Sequence, residues 1–123
     1  MNDKKDIQTE ANEAYQSAKS DFAEQIARLE NENEEISEKA REEIQDEPLE
    51  TATKSDFDGS KQYMILLGTG GPAMRIYGEL DEYGQPMTAE YQYQNWFTPW
   101  TTADESADDK NLLAYAQVFY FGE

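Results

Sequence analysis

The residues best suited to chemistry in this chain are carboxylates that recur along its N-terminal half. Residues 30–47 contain nine acids and only two bases. Four of the acids recur at every fourth position: Glu34, Glu38, Glu42 and Asp46. On a helix they share one face, where each like-charge pair costs a few tenths of a kcal/mol. Because selection for stability alone would alternate the signs, we interpret this face as a binding surface for basic groups.

The predicted acidic surface takes in the neighbouring acids as well. Its members are Glu30, Glu34, Glu35, Glu38, Glu42, Glu43, Asp46 and Glu47. Residues 30–47 carry a net charge of -7, which is one charge per roughly 3.6 Å if the segment is a single helix. A DNA strand carries one charge per about 3.4 Å. The similar density favours mimicry of a nucleic acid, whereas the alternative is that the acids only solvate an exposed helix.

The charge of the whole chain points to the same kind of partner. There are 27 acids and 10 bases in 123 residues, a net charge of -17. Such a protein repels nucleic acids and anionic membranes and attracts basic surfaces, including those with which other proteins hold nucleic acids. We therefore expect a basic protein partner, with no direct nucleic-acid or membrane binding.

Catalysis is not expected from this composition. The chain has no His and no Cys, so the commonest general base and the strongest nucleophile are missing. Gly68–Pro72 lacks the Lys and Ser or Thr of a phosphate loop, and Asp56–Gly59 lacks most ligands of a calcium loop. We predict no enzymatic activity, cofactor or metal site. The absence of Cys and of any long apolar run predicts a location in the cytoplasm.

The element that must carry the acids is predicted to be one long helix over residues 1–47. Apolar residues recur in it every seven positions: Tyr15, Phe22, Leu29 and Ile36. This narrow stripe is typical of the seam of a coiled coil, so a homodimer is one interpretation. Asn31 and Asn33 allow a kink or a helical hairpin instead, but the acids around them are good helix formers and favour continuity.

The second half of the chain predicts a small sheet. Residues 48–60 are interpreted as a linker and 61–123 as a separate aromatic-rich domain. Alternating patterns predict a meander of three antiparallel strands, Lys61–Leu67, Ala73–Leu80 and Met87–Phe97. A short helix follows the acids of 104–109, buries Leu112, Leu113 and Ala116, and precedes a final strand, Val118–Phe121. The fold class is therefore α+β, with a long N-terminal helix.

Two tryptophans suggest a second kind of contact. Trp96 and Trp100 lie at the end of the third predicted strand and in the loop after it. Most aromatic residues of such a small domain are expected in its core. Trp is also a favoured anchor of protein interfaces, so both are candidates for an aromatic anchor, with Trp100 expected to be exposed.

Four C-terminal segments carry a resemblance: Gly70–Leu80, Tyr91–Thr101, Leu112–Ala116 and Phe119–Glu123. Together they resemble a module of phage and plasmid accessory proteins, and the size and acidity of the chain are similar to those of anti-CRISPR proteins. The resemblance implies an inhibitor from a mobile genetic element that acts in the host cell on a Cas nuclease or effector complex, by blocking DNA or PAM binding or assembly. The alternative is a structural module that dimerises through the predicted coiled coil.

Overall fold

The computed structural model describes residues 6–70, 72–96 and 98–121. The helices among them are α1 (Ile7–Leu29), α2 (Glu34–Asp46) and α3 (Lys110–Ala116), with a 3₁₀ turn at Ser106–Asp108. The strands are β1 (Glu50–Ser55), β2 (Lys61–Gly68), β3 (Ala73–Leu80), β4 (Glu90–Gln94) and β5 (Thr101–Thr102). The predicted α+β class is confirmed. No described helix is long and apolar enough to cross a membrane.

The long N-terminal helix is broken near its middle, so the prediction of one continuous helix is wrong. The Oδ1 atom of Asn33 accepts bonds from the backbone N–H groups of Glu35 (2.9 Å) and Ile36 (3.4 Å) and caps α2. Asn31 Oδ1 accepts from the backbone N–H of Asn33 at 2.8 Å. Asn side chains compete in this way with the bonds that would continue a helix. The break lets α2 bury Ala40 and Ile44, which it does fully.

Removing the cap should weaken α2 measurably. We expect Asn33→Ala to lower the free energy of unfolding by about 1 kcal/mol, because two backbone N–H groups lose their acceptor. Urea denaturation followed by circular dichroism measures the change. Glu32→Ala, an exposed change in the same turn, is the matched control. Equal midpoints for the two variants would contradict the capping role.

The sheet is a five-stranded antiparallel meander in the order β1-β2-β3-β4-β5. Strand β1 lies inside residues 48–60, so the linker prediction is wrong there. The β-branched Thr51 and Thr53 suit a strand, and they pair with Ile65 and Tyr63 of β2. Gly59, with φ of 92°, makes the turn between the two strands in a conformation that favours glycine.

The end of the chain also differs from the prediction. Strand β4 stops at Gln94, three residues before Phe97, which lies outside the described residues. Val118–Phe121 is not a strand, because the backbone N–H groups of Val118 and Phe119 bond back to the last turn of α3. The place beside β4 is taken by β5. Phe121 packs on Tyr63, with ring centroids 5.0 Å apart.

One core joins the helices to the sheet. The ring centroids of Phe22 in α1 and Tyr115 in α3 are 5.0 Å apart, and those of Tyr15 in α1 and Tyr91 in β4 are 5.6 Å apart. Tyr15 and Phe22 are buried, Leu29 is half-buried and Ile36 is exposed. The predicted dimer seam is therefore wrong, because the sheet of the same chain covers most of that stripe. The division into residues 1–47 and 61–123 is wrong for the same reason.

Candidate protein-binding surface

Helix α2 holds the predicted acids on the outside of the molecule. It buries Ala40 and Ile44 and packs against the C-terminal half of α1. Its remaining faces are open to solvent. The exposed carboxylates on α2 and at its two ends are Glu30, Glu34, Glu35, Glu38, Glu42, Glu43, Asp46 and Glu47. All members of the predicted acidic surface are thus accessible to a partner.

Several of these carboxylates have structural partners within the chain. Glu43 Oε1 lies 2.8 Å from Arg28 Nη1, in an ion pair that ties α2 to α1. Glu47 Oε1 accepts bonds from the hydroxyl of Tyr115 and from Nε2 of Gln25. The pair between Glu38 and Arg41 is long, at 3.8 Å. Glu43 and Glu47 therefore stabilise the helix packing in addition to contributing negative charge.

Three of the four acids that recur at every fourth position have no partner in the described part of the chain. Glu34, Glu42 and Asp46 make no hydrogen bond or ion pair with other described residues through their carboxylates. Positions four apart on a helix are separated by about 6 Å along its axis. All four of these acids lie on α2 and are exposed. A Lys or Arg that approached it would compete with few internal bonds.

The charge density of α2 is lower than the sequence alone indicated. The helix has six acids and two bases, a net charge of -4 over twelve steps, or one charge per about 4.5 Å. The spacing of 3.6 Å per charge assumed that one helix runs through residues 30–33, but the chain turns there. The linear match to a DNA strand is therefore wrong, and the acidic surface offers discrete carboxylates at a wider spacing.

The two tryptophans have different environments. Trp96 is 71% exposed. Trp100 is half-buried beneath Arg75, whose guanidinium carbon lies 4.2 Å from the ring centroid. Arg75 also lies 4.8 Å from the ring of Tyr77, and its Nε donates to Gln92 Oε1 at 2.7 Å. The expected exposure of Trp100 is wrong, because Arg75 covers its ring in a cation–π contact.

The aromatic anchor and the acidic surface are not brought together. Asn95, next to Trp96, donates through Nδ2 to Oε1 of Glu10 in the first turn of α1. Helix α2 contacts α1 near its other end, at Gln25 and Arg28. Fifteen residues from Glu10 to Gln25 correspond to about 22 Å of helix. A partner would need a wide interface to reach both features.

Hydrogen bonds between tyrosines and carboxylates join α1 to the start of α3 and to β4, and no pattern in the sequence indicates them. The Tyr15 hydroxyl donates to Asp109 Oδ2 at 2.6 Å, and that of Tyr93 donates to Glu10 Oε1 at 3.1 Å. Burial, followed by the bond to Asp109, raises the pKa of Tyr15. Burial and the bond to Glu47 raise the pKa of Tyr115. These acids are structural, which a count of charges does not show.

Metal binding and similarity to known proteins do not help to define the role of the acidic surface. Within residues 6–70, 72–96 and 98–121, no group of three or more acidic side chains is arranged to hold a metal ion. The chain matches no protein-family model, no curated protein and no solved structure.

Proposed function

We propose that this protein is a non-enzymatic inhibitor that binds the nucleic-acid-binding surface of a basic partner protein through α2. The observation that carries the proposal is the row of exposed, unpaired carboxylates Glu34, Glu42 and Asp46 on the most exposed helix. A bond between a carboxylate and Lys or Arg is roughly twice as strong as one between neutral groups. Bound there, the protein would occupy basic groups that otherwise hold nucleic acid.

The resemblance of the C-terminal segments to mobile-element proteins suggests the class of partner. A Cas effector holds nucleic acid in a positively charged channel and reads its PAM with basic side chains. An acidic helix is complementary to such surfaces in charge, and long-range attraction would speed the encounter. The partner we propose is therefore a Cas nuclease or effector complex. The buried Tyr15 and Phe22 provide no support for the alternative of a module assembled through a coiled coil.

Charge reversal on α2 tests the proposal. We expect Glu34→Lys, Glu38→Lys and Glu42→Lys together to weaken inhibition of DNA binding by about 100-fold, since each lost contact is worth about 1 kcal/mol and repulsion adds to this. The measurement is competition with labelled DNA for purified Cas effectors, followed by fluorescence anisotropy. Raising the salt concentration should weaken inhibition by the unmodified protein.

The matched control has the same change in net charge at another place. Glu79→Lys, Glu82→Lys and Asp108→Lys alter three exposed acids outside α2. Each triple variant reverses three charges and brings the net charge from -17 to -11. The control should inhibit about as well as the unmodified protein. Equal loss in both triples would show that only total charge matters, and absence of inhibition across the effectors tested would contradict the proposed partner.

A further inference from the structure

Strand β1 leaves one side of its backbone without a partner among the described residues. It is the first strand of the sheet and pairs only with β2. Five of its six residues are exposed, and no helix covers it. Proteins usually protect such an edge with proline, a bulge or a charged side chain. Of these, β1 has only charged side chains, Glu50 and Lys54.

The hydrogen bonds of the hairpin show which backbone groups are free. The backbone N–H of Asp56 donates to the carbonyl of Ser60 at 2.8 Å. Hydrogen-bonded pairs alternate along an antiparallel ladder, so Lys54, Ala52 and Glu50 also direct their backbone groups toward β2. Thr51, Thr53 and Ser55 therefore direct theirs toward the open edge. This gives a row of donors and acceptors that another strand can bind.

The charges on β1 select the strand that fits. In an antiparallel pair of two copies, hydrogen bonding requires Thr51, Thr53 or Ser55 to face one another. The register that pairs Thr51 with Thr53 of the second copy also places each Glu50 opposite a Lys54. Shifting one strand by two residues, so that Thr53 faces Thr53, places Glu50 opposite Asp56. A further shift of two residues in the same direction places Lys54 opposite Lys54. Opposite charges directly across a ladder stabilise it, and like charges destabilise it.

We infer that β1 pairs with β1 of a second copy of this chain, in the register Thr51 to Thr53, and extends the meander into a continuous ten-stranded sheet. The strand is complementary to itself about a two-fold axis at Ala52, as a symmetric dimer requires. It also carries one acid and one base within a chain of net charge -17. Two copies can thus meet at β1 with less repulsion than at α2.

The competing explanation is that Lys54 only prevents association, which is a common role for Lys on an edge strand. The two explanations predict opposite results for the unmodified protein. Sedimentation equilibrium at protein concentrations from about 10 µM to about 1 mM can detect a dimer held by a weak, small interface. We expect a reversible rise from the chain mass of 14.1 kDa toward twice that value. A constant mass of one chain over this range would overturn the inference.

Charge exchange tests the register. Glu50→Lys alone and Lys54→Glu alone each place like charges opposite one another, and we expect each to weaken the dimer at least tenfold. The double variant Glu50→Lys with Lys54→Glu restores opposite charges across the axis, so it should dimerise as the unmodified protein does. A dimer unaffected by the single changes, or one that the double change does not recover, would overturn the proposed register.

A backbone change tests the edge independently of charge. Thr53→Pro removes an N–H group that faces the open edge and takes no hydrogen-bond donor from the pairing with β2. We expect a folded monomer with the circular dichroism spectrum of the unmodified protein. Thr53→Ala keeps the N–H and is the control that should still dimerise. A dimer that survives the proline would place the contact elsewhere. The inference does not depend on the proposed function, since β1 and α2 share no residue.

Discussion

Replacing Gly78 with alanine is expected to lower the free energy of unfolding by about 3 kcal/mol. An added Cβ atom would lie 2.0 Å from the carbonyl oxygen of Thr88 and 2.9 Å from Cε1 of Tyr63. The Thr88 segment cannot move away easily. Its carbonyl accepts from the Tyr63 hydroxyl at 2.7 Å, and its Oγ1 accepts from the backbone N–H of Glu79 at 2.9 Å. Overpacking against fixed backbone belongs to the most destabilising class of substitutions.

Gly59→Ala is the control for this prediction. Gly59 has a positive φ of 92°, but nothing lies within 4 Å of the added atom. We expect a cost of about 1 to 2 kcal/mol from backbone strain alone. Chemical denaturation of both variants measures the difference. A Gly78→Ala protein as stable as Gly59→Ala would mean that the segment near Thr88 yields to the new methyl group.

Alkaline pH is expected to unfold the protein steeply. Burial raises the pKa of Tyr63 and of Tyr115, and raises the pKa of Tyr91 to about 12. In the unfolded chain these hydroxyls ionise near pH 10. Their stabilising contribution is therefore complete below pH 10 and is lost as the pH rises toward the folded values. Three such groups together remove about 4 kcal/mol per pH unit, so unfolding is expected between about pH 11 and 12.

The measurement combines circular dichroism with the ultraviolet absorbance of ionised tyrosine. The absorbance change of the buried tyrosines should coincide with the loss of the helix signal, because their hydroxyls ionise only when the core opens. Tyr91→Phe removes one of these groups, so stability should fall less steeply with pH. Full tyrosine ionisation with unchanged helix content would contradict this prediction.

Much of the fold follows from patterns that are local in sequence. The bounds of β3 are those predicted, and β2 extends one residue beyond its prediction. Both strands are rich in apolar and aromatic residues, and glycine-containing turns bound them. The short C-terminal helix is confirmed too, with Leu112 and Ala116 buried and Asp109 capping its first turn. Strand β1 was missed although Asp-Gly in a short loop is a strong hairpin signal.

The errors arise where several structures satisfy the same pattern. A seven-residue stripe such as that of Tyr15 and Phe22 can face a second helix or a sheet, and only the tertiary structure decides between them. Asn33 allows either a helix interior or a cap. The buried Ala40 and Ile44 favour the cap, because a straight helix would leave both uncovered. The exposed acids of α2 were predictable, since charged residues remain in water unless paired.

The roles of individual site residues were less predictable. Glu47 was assigned to the acidic surface, yet it accepts a bond from Tyr115, 68 residues away in the chain. Trp100 was expected to be exposed, but Arg75 of strand β3 covers its ring. Contacts between distant segments leave no periodic signal in the sequence.

The shallow attachment of α2 has a consequence for its motion. Of the side chains of α2, Ala40 and Ile44 are buried, and the ion pair from Glu43 to Arg28 that also holds the helix lies at the surface. Elements with little buried surface open locally at lower free energy than the core. The amide hydrogens of α2 should therefore exchange with deuterium before those of β2 and β3. A partner seated on the carboxylates would slow that exchange, so the helix would itself report when it is occupied.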